Sequence, residues 1–252
     1  MFLELNKKAS NHATRAEVGK YPLQITIINL IFKYYIYLKD KDDSSVVKQA
    51  LIISQDLGHK FYNSYHSKQL DLLKFCNSRK LGQPHKLRPE HLPEMISHVK
   101  KNYSVFRKQK IESSPKLDFY KKIKDFSSEF YLDMVQNFEG LSRKQYVKFR
   151  TSNHTLLVES KRYCKPQIPR EDRICEFCNL NEVEDEIHVL FNCTLYTSYR
   201  NVFFNKLDST FKTDNKENFI ASIFRSKSEP ALFYLINYIN KCFEKRKSLP
   251  LR

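Results

Sequence analysis

Three cysteines and one histidine towards the C-terminal end of the sequence have the spacing of a metal site. Two residues separate Cys175 from Cys178, nine separate Cys178 from His188, and four separate His188 from Cys193. The array is therefore C-x2-C-x9-H-x4-C. Two thiolates in a tight turn can bind one side of a tetrahedral zinc ion, and a His and a Cys from a following helical turn can bind the other. The array therefore predicts one Zn²⁺ ion held by Cys175, Cys178, His188 and Cys193.

The predicted zinc is structural, because four protein ligands leave no coordination position for a catalytic water. The alternative explanation of the array is a chance set of buried cysteines beside a hydrogen-bonded core histidine. In a reducing compartment the six cysteines are not expected to form disulfides, so metal ligation and plain burial are the two options. Cys76, Cys164 and Cys242 are expected to be buried thiols, although Cys164 is close enough in sequence to be an alternative ligand.

The residues around His188 indicate how the second half of the site would be positioned. Residues 184–191 begin with acidic residues suited to a helix N-terminus and continue with apolar ones. Cys193 follows His188 by five residues, about 140° round an α-helix, so the helix is expected to end near Asn192. The carboxylate expected to accept a hydrogen bond from the imidazole nitrogen not bound to metal is one of Glu184, Asp185 and Glu186.

A basic helical segment precedes the array and is the predicted nucleic-acid-binding element. Helical spacing over residues 142–163 places Arg143, Arg150, His154 and Lys161 on one exposed stripe, beside an apolar stripe that packs. An ordinary solvated face would show the same pattern, but phosphate binding needs several cations acting together, which the basic surroundings favour. The acidic span between the metal ligands is expected to present these cations rather than to bind phosphate itself. The predicted nucleic-acid-binding residues are Arg143, Lys148, Arg150, His154, Lys161, Arg162, Lys165 and Arg173.

The net charge indicates a polyanionic partner. The chain of 252 residues has 44 basic and 28 acidic side chains, a formal net charge of +16. Residues 61–165 carry 22 basic and 10 acidic side chains, a net +12, against +3 for residues 1–60 and +1 for residues 166–252. A charge of this size and sign predicts a polyanion such as nucleic acid as the partner. The charge does not distinguish RNA from DNA; RNA is the expected partner of the two, and no small-molecule substrate is expected.

The patterns of the elements predict a mainly α-helical protein, an irregular helical bundle with a small CCHC zinc-stabilised module near the C-terminus. Four glycines in the whole chain argue against a β protein rich in tight turns. Helices are predicted at residues 22–38, 46–65, 90–111, 117–126, 142–163, 196–207, 218–224 and 229–245. The predicted segments are an N-terminal helical segment (1–76), a basic helical segment (77–165), a CCHC zinc knuckle (166–200) and C-terminal helices with a basic tail (201–252).

No stretch of the sequence predicts a membrane span. The longest apolar stretch, residues 23–38, has sixteen residues and includes Lys33, whereas a span needs about 20 residues with few or no charges. The first residues lack the order of a secretory signal. We therefore expect an intracellular protein, in the nucleus, the cytoplasm or both, with no membrane partner.

Several of these motifs together resemble a known family. Residues 149–163, 173–178, 183–190 and 193–196, together with Arg200, resemble the C-terminal zinc-knuckle region of LINE-type (non-LTR) retrotransposon reverse transcriptase polyproteins. Residues 6–23 are similar to the stretch that follows the reverse-transcriptase domain in the same polyproteins. The resemblance implies a module that helps the polymerase hold template RNA or target DNA, with the four array residues matching the ligands. One departure is Lys161, where the family often has Gly.

The sequence offers no active site, so the chain is not expected to be an enzyme. The polymerase signature has an aromatic residue one position before two aspartates, whereas Asp42 and Asp43 follow Lys41 in a polar turn. No proline in the 59 residues after Cys193 precedes an aspartate, as the nuclease of related elements would require. Gly-rich nucleotide loops and the Gly-x-Ser-x-Gly motif are also absent. The predicted function is a non-catalytic, zinc-stabilised nucleic-acid-binding module; the alternative is a protein–protein interaction or scaffold module derived from a retroelement.

Overall fold

The described part of the chain is mainly helical, as the sequence predicts. The structure is a computed structural model that describes residues 5, 7–58, 71–72, 86–124, 132, 140–211 and 215–249, without the side chains of residues 140–143 and 210. The α-helices within this part are α1 (Asn11–Glu17), α2 (Leu23–Lys39), α3 (Val46–Gly58), α4 (Leu92–Glu112), α5 (Asp118–Ile123), α6 (Gly140–Arg150), α7 (Leu157–Ser160), α8 (Thr197–Lys206), α9 (Lys216–Phe224) and α10 (Glu229–Lys247). Single turns of 3-10 helix occupy Pro89–His91, Pro115–Leu117, Lys161–Tyr163, Thr194–Tyr196 and Ser209–Phe211, and a π-helical turn spans His188–Asn192. None of the described helices is long and apolar enough to cross a membrane.

The helices α2, α4, α8, α9 and α10 begin and end within two residues of their predicted bounds. Helix α3 begins at Val46 as predicted, and the rest of its predicted range after Gly58 lies outside the described residues. Helix α1 was not predicted, although the Ser10 hydroxyl accepts from the Ala13 amide at 3.3 Å as an N-cap. Such short helices carry too little periodicity to be distinguished from a loop.

The chain divides into two compact units. Tyr21–Lys108 forms one, here called the α2–α4 unit, and Met1–Lys20 with Gln109–Arg252 forms the other, here called the Cys/His unit. This division does not follow the four predicted segments, because residues from segments 77–165, 166–200 and 201–252 share the Cys/His unit.

The α2–α4 unit is built on a helical hairpin. Pro22 precedes α2, where a proline without an amide hydrogen loses nothing, and the polar break after Lys39 ends the helix. The Ser45 hydroxyl then accepts from the Lys48 amide at 3.2 Å and caps α3. The core of this unit includes Phe32, Tyr35, Leu51, Leu87, Met95 and Val99.

The Cys/His unit has its own core, in which α10 packs against α6 and α8. Aromatic rings fill much of it: Phe224 of α9 lies 5.9 Å from Tyr146 and 5.3 Å from Phe119, ring centroid to centroid. Helix α10 has a continuous buried face because its apolar residues recur at helical spacing, as the pattern predicts. Its buried side chains include Leu232, Leu235, Ile236, Ile239, Cys242 and Phe243.

The predicted helix over residues 142–163 is wrong as a single element. Helix α6 ends at Arg150, and Ser152 adopts a left-handed φ of 49° that reverses the chain direction. Helix α7 and a 3-10 turn follow as separate short pieces. The predicted basic stripe, which needs one continuous helix, therefore does not form.

Candidate metal centre and basic surface

The structure brings the four predicted ligand residues together. One ligand atom from each of Cys175, Cys178, His188 and Cys193 lies within 4.8 Å of the others. The Sγ atoms of Cys175 and Cys193 are 3.9 Å apart, and Cys178 Sγ is 3.4 Å from His188 Nε2. Three of the four residues are buried, so a bound ion would be shielded from solvent.

These distances fit a tetrahedral ion. With zinc–sulfur bonds of about 2.3 Å and zinc–nitrogen bonds of about 2.0 Å, two sulfur ligands lie about 3.8 Å apart and a sulfur and a nitrogen about 3.5 Å apart. Thiolate and imidazole are donors that metal ions such as Zn²⁺ accept in proteins. The group can therefore hold a metal ion.

A short antiparallel pairing positions the first two ligands. The Cys175 amide donates to the Glu182 carbonyl at 2.9 Å, and the Glu184 amide donates to the Arg173 carbonyl at 2.9 Å. Ile174 and Val183 form the bridge between them. Cys175 and Cys178 thus lie in the loop of a tight hairpin, which directs both sulfur atoms to one side.

A π-helical turn positions the other two ligands. The Cys193 amide donates to the His188 carbonyl at 2.8 Å, five residues earlier, and the turn ends at Asn192 as predicted. The wider turn brings Cys193 beside His188, which a regular α-helix would not do. Asp185 caps the turn by accepting from the His188 amide at 3.0 Å.

The carboxylate that orients the imidazole is Glu182, which corrects the prediction of Glu184, Asp185 or Glu186. His188 Nδ1 lies 2.8 Å from Glu182 Oε2, and the side-chain amide of Asn192 donates to the same oxygen at 2.7 Å. The contact leaves Nε2 as the ligand atom. Burial lowers the pKa of His188, but hydrogen bonds to Cys175 and Glu182 outweigh this and raise it to about 9.

The thiols of the cluster differ in their ionisation. A hydrogen bond from Cys193 is the main cause that lowers the pKa of Cys175 to about 4, and the same bond raises the pKa of Cys193. A lowered pKa favours the thiolate form, which is the form that metals bind. Cys164 is exposed, which corrects its prediction as a buried thiol, and it lies outside the cluster, so it is not the alternative ligand. Cys76, also predicted as a buried thiol, lies outside the described residues. Burial raises the pKa of the Cys242 thiol to about 12, in keeping with the predicted buried thiol.

The acidic residues between the ligands are engaged inside the unit. Both oxygens of Glu184, which is 1% exposed, accept from Arg246 of α10 at 2.8 and 2.9 Å. Glu186 accepts from Ser152 at 2.7 Å and contacts His154 Nε2 at 2.9 Å. Asp185 pairs with Arg170 at 2.7 Å and Glu176 with Lys161 at 2.6 Å. These carboxylates therefore join the segment of the candidate metal ligands to α10 and to neighbouring loops instead of forming an open acidic surface.

Arg150 is not on the surface, which corrects its prediction as a nucleic-acid-binding residue. Its side chain is fully buried and its Nε donates to Glu17 Oε1 at 2.5 Å. Its Nη1 also donates to the Phe224 carbonyl at 3.0 Å, and Tyr120 donates to the second oxygen of Glu17 at 2.9 Å. The guanidinium thus joins α6 to α1 and α9 rather than facing solvent.

His154 and Arg173 are corrected in the same way. His154 is 6% exposed and is held by Glu186. Arg173 is 3% exposed and donates to the carbonyls of Ile168 and Val158 at 2.7 to 3.0 Å. Both side chains stabilise the loops beside the metal cluster, because their hydrogen-bonding capacity is used by neighbouring segments.

The other predicted nucleic-acid-binding residues are closer to solvent. Lys165 is exposed, while Lys148 and Lys161 are half-buried. Arg162, also half-buried, pairs with Glu159 at 2.8 Å. The side chain of Arg143 lies outside the described residues, although its backbone belongs to α6. The structure thus brings Lys161 and Arg162 next to the metal unit but does not join the eight predicted residues into one surface.

Three residues of the site were missed from the sequence. Glu182 orients His188, Glu17 neutralises Arg150, and Arg200 donates to the carbonyls of Leu190 and Cys193 at 3.0 and 2.7 Å. Glu182 had a local signal, since it lies six residues before His188 in the same acidic run. Glu17 had none, because its partner is far along the chain.

Comparisons with protein-family models, curated proteins and solved structures found no match to this chain. The donor set, the closed coordination and the positive charge are the three features with direct chemical consequences.

Proposed function

We propose that the chain is a non-catalytic module that holds one structural Zn²⁺ ion and binds nucleic acid, with RNA preferred. The observation that carries this proposal is the cluster of Cys175, Cys178, His188 and Cys193, whose donor atoms lie at distances that suit tetrahedral coordination. Since these four donors complete a tetrahedral sphere, the ion would stabilise the fold and would activate no water.

The charge supports nucleic acid as the partner. The chain has a net charge of +16, and both units contribute, with 15 basic and seven acidic residues in Tyr21–Lys108 alone. Polyanions bind such surfaces through release of condensed counterions. The resemblance of residues 6–200 to LINE-type polyproteins supports a retroelement origin and a role in holding template RNA or target DNA in an intracellular compartment.

Metal analysis tests the first half of the proposal. Purified full-length protein should contain one equivalent of zinc, and Cys178→Ser should lose it because one of four donors is removed. Cys164→Ser is the matched control, since Cys164 is an exposed thiol outside the cluster. Retention of zinc by Cys178→Ser, or its loss from Cys164→Ser, would contradict the proposed site.

A salt titration tests the second half. We expect single-stranded RNA to bind with an affinity that falls about fiftyfold between 50 and 200 mM salt, if about four phosphates are contacted. Fluorescence anisotropy with a labelled oligonucleotide measures this directly. An affinity that is independent of salt, or no binding at the lower salt concentration, would refute nucleic-acid binding.

A second candidate, a protein-interaction module, is favoured by one observation. Helix α2 exposes large apolar side chains at alternating steps of four and three residues, which is the spacing of a helix-binding face. They are Leu23, Ile27, Leu30, Tyr34 and Tyr37, each 45% to 69% exposed. This function predicts a complex with a partner helix that is insensitive to salt and is lost in Leu30→Asp.

A further inference from the structure

A cleft in the α2–α4 unit has the composition of a ligand site that the sequence did not predict. It opens between α2 and the N-terminal half of α4 and has a volume of about 610 Å³, within the range of about 300–1,000 Å³ typical of ligand pockets. Ile36 and Leu92 contribute apolar walls, while Asn29 and Ser97 add an amide and a hydroxyl. Apolar walls with a few polar groups suit a flat heterocycle with polar edges.

Two lysines line this cleft without a carboxylate partner. Among the residues that the structure describes, no Asp or Glu lies within salt-bridge distance of Lys33 or Lys100. The remaining parts of this unit, residues 59–70 and 73–85, contain no Asp or Glu at all. In the Cys/His unit, by contrast, Lys161 and Arg162 are paired with carboxylates. The uncompensated ammonium groups therefore favour an anionic ligand.

Aromatic rings lie next to the same lysines. Lys100 Nζ is 5.4 Å from the ring centroid of Tyr21, which packs edge-on against Tyr103 at 6.1 Å. Tyr103 and the 45% exposed Phe106 line a second cleft of about 450 Å³ on α4. Exposed aromatic rings beside cations are the features with which proteins bind unpaired bases and the phosphates between them.

We propose that these two clefts bind consecutive nucleotides of a single-stranded nucleic acid, a step that rests on the proposed function. One base occupies the cleft of Asn29 and Ser97, and a neighbouring base lies against Tyr103 and Phe106. Lys33 and Lys100 bind the phosphates, because Lys100 lies close to both clefts. Two clefts beside lysines repeat along this unit, as base and phosphate repeat along a nucleic-acid strand. A strand therefore matches this arrangement better than a single small anion does.

The first test removes the two charges. In the full chain, Lys33→Gln/Lys100→Gln should weaken binding of a single-stranded RNA 12-mer at least tenfold and reduce the slope of log K against log salt by about 1.4, as expected for two single-strand phosphate contacts. The matched control is Lys41→Gln/Lys101→Gln, which removes the same charge from residues of the same unit that line neither cleft. The control should weaken binding no more than threefold.

The second test fills the cleft without changing charge. Ser97→Phe should weaken binding about tenfold with an unchanged salt slope, whereas Val105→Phe, on α4 but outside both clefts, should bind as the wild type does. Circular dichroism checks that each variant remains folded. Photocrosslinking of a 4-thiouridine oligonucleotide should label peptides from residues 89–106, which gives a readout on the wild-type chain.

The outcomes separate this inference from the proposed function. If the wild type binds RNA but both test variants bind like their controls and crosslinks map elsewhere, the clefts are not the site and the proposed function stands. If the wild type binds no single-stranded nucleic acid at 50 mM salt, both are overturned. An equal loss of RNA affinity in the Lys33/Lys100 variant and in its control would show a diffuse charge effect. That result would also overturn the proposal that the clefts bind nucleotides.

Discussion

At the residue scale, two groups of described cations differ in their surroundings. Arg150 and Arg173 are buried, and their guanidinium groups are used by a carboxylate or by backbone carbonyls of the same unit. Lys33 and Lys100 line a cleft without such partners among the described residues. Burying a charge is costly unless it is paired and hydrogen-bonded, so the buried cations serve the fold. An ammonium group without a carboxylate partner, such as that of Lys33 or Lys100, is more readily available to an anionic ligand.

Arg150→Met is expected to act on stability rather than on binding. The substitution leaves the carboxylate of Glu17, which is 0% exposed, buried without its main partner, and breaking a buried pair costs about 3–5 kcal/mol. Urea denaturation measures the loss, and RNA affinity at low urea should be unchanged.

The control for this prediction is the double variant Glu17→Gln/Arg150→Met, which removes both charges and should recover part of the lost stability. If Arg150→Met were as stable as the wild type but no longer bound RNA, Arg150 would be a binding residue and its structural role would be contradicted.

At the scale of the elements, the metal cluster depends on two short irregular pieces and on their attachment to α10. The hairpin that carries Cys175 and the π-turn that carries His188 contain few hydrogen bonds of their own. Glu184 anchors the hairpin through Arg246 and through the Leu157 amide, which donates at 2.7 Å. Such pieces cannot form alone, because short elements gain most of their stability from tertiary contacts.

Arg246→Gln should therefore loosen the metal unit. It removes the bidentate contact at 2.8 and 2.9 Å and leaves the Glu184 carboxylate buried, at a cost of about 3–5 kcal/mol. Thermal denaturation should show a clearly lower Tm. The exposed neighbour Lys247→Gln removes the same charge from α10 and should change the Tm little; equal effects of the two variants would contradict the anchoring role.

At the scale of the whole molecule, two hydrophobic cores are separate. One includes Phe149, Phe224 and Leu235 together with Cys175 and Cys193 of the candidate metal site, and the other includes Phe32, Leu51 and Met95 of the α2–α4 unit. Metal binding stabilises only the unit that holds the ligands, because binding energy is coupled to the folding of the segments it joins. The two units should therefore respond differently to a chelator.

Chelation of zinc is expected to open the Cys/His unit selectively. Hydrogen exchange followed by mass spectrometry should show loss of protection in residues 166–200 and in α10, while α2 and the N-terminal part of α4 keep theirs. A mock-treated sample with added zinc is the control. Uniform loss across both units would mean that they fold as one cooperative body, and no loss anywhere would argue against a structural ion.

The sequence by itself determined the features that depend only on residues close together along the chain. The ligand spacing and the bounds of α2, α4, α8, α9 and α10 follow from helical periodicity, from capping residues and from a chelating turn, all of which are local. For the same reason Glu182 was within reach of sequence reasoning, whereas the break after Arg150 was not. After that break Ser152 adopts a left-handed φ, and Arg150 and His154 contact the distant acids Glu17 and Glu186, which periodicity does not record.

Only the tertiary structure decided which charged side chains form contacts inside the protein and which line a cleft without a carboxylate partner. Arg150 meets Glu17 across 133 positions and Arg246 meets Glu184 across 62, and Lys33 of α2 lines the same cleft as Lys100 of α4. Such pairs form only when helices pack, since the hydrophobic cores bring remote segments together without regard to their separation in sequence. The composition therefore set the sign of the surface charge, and the packing set its location.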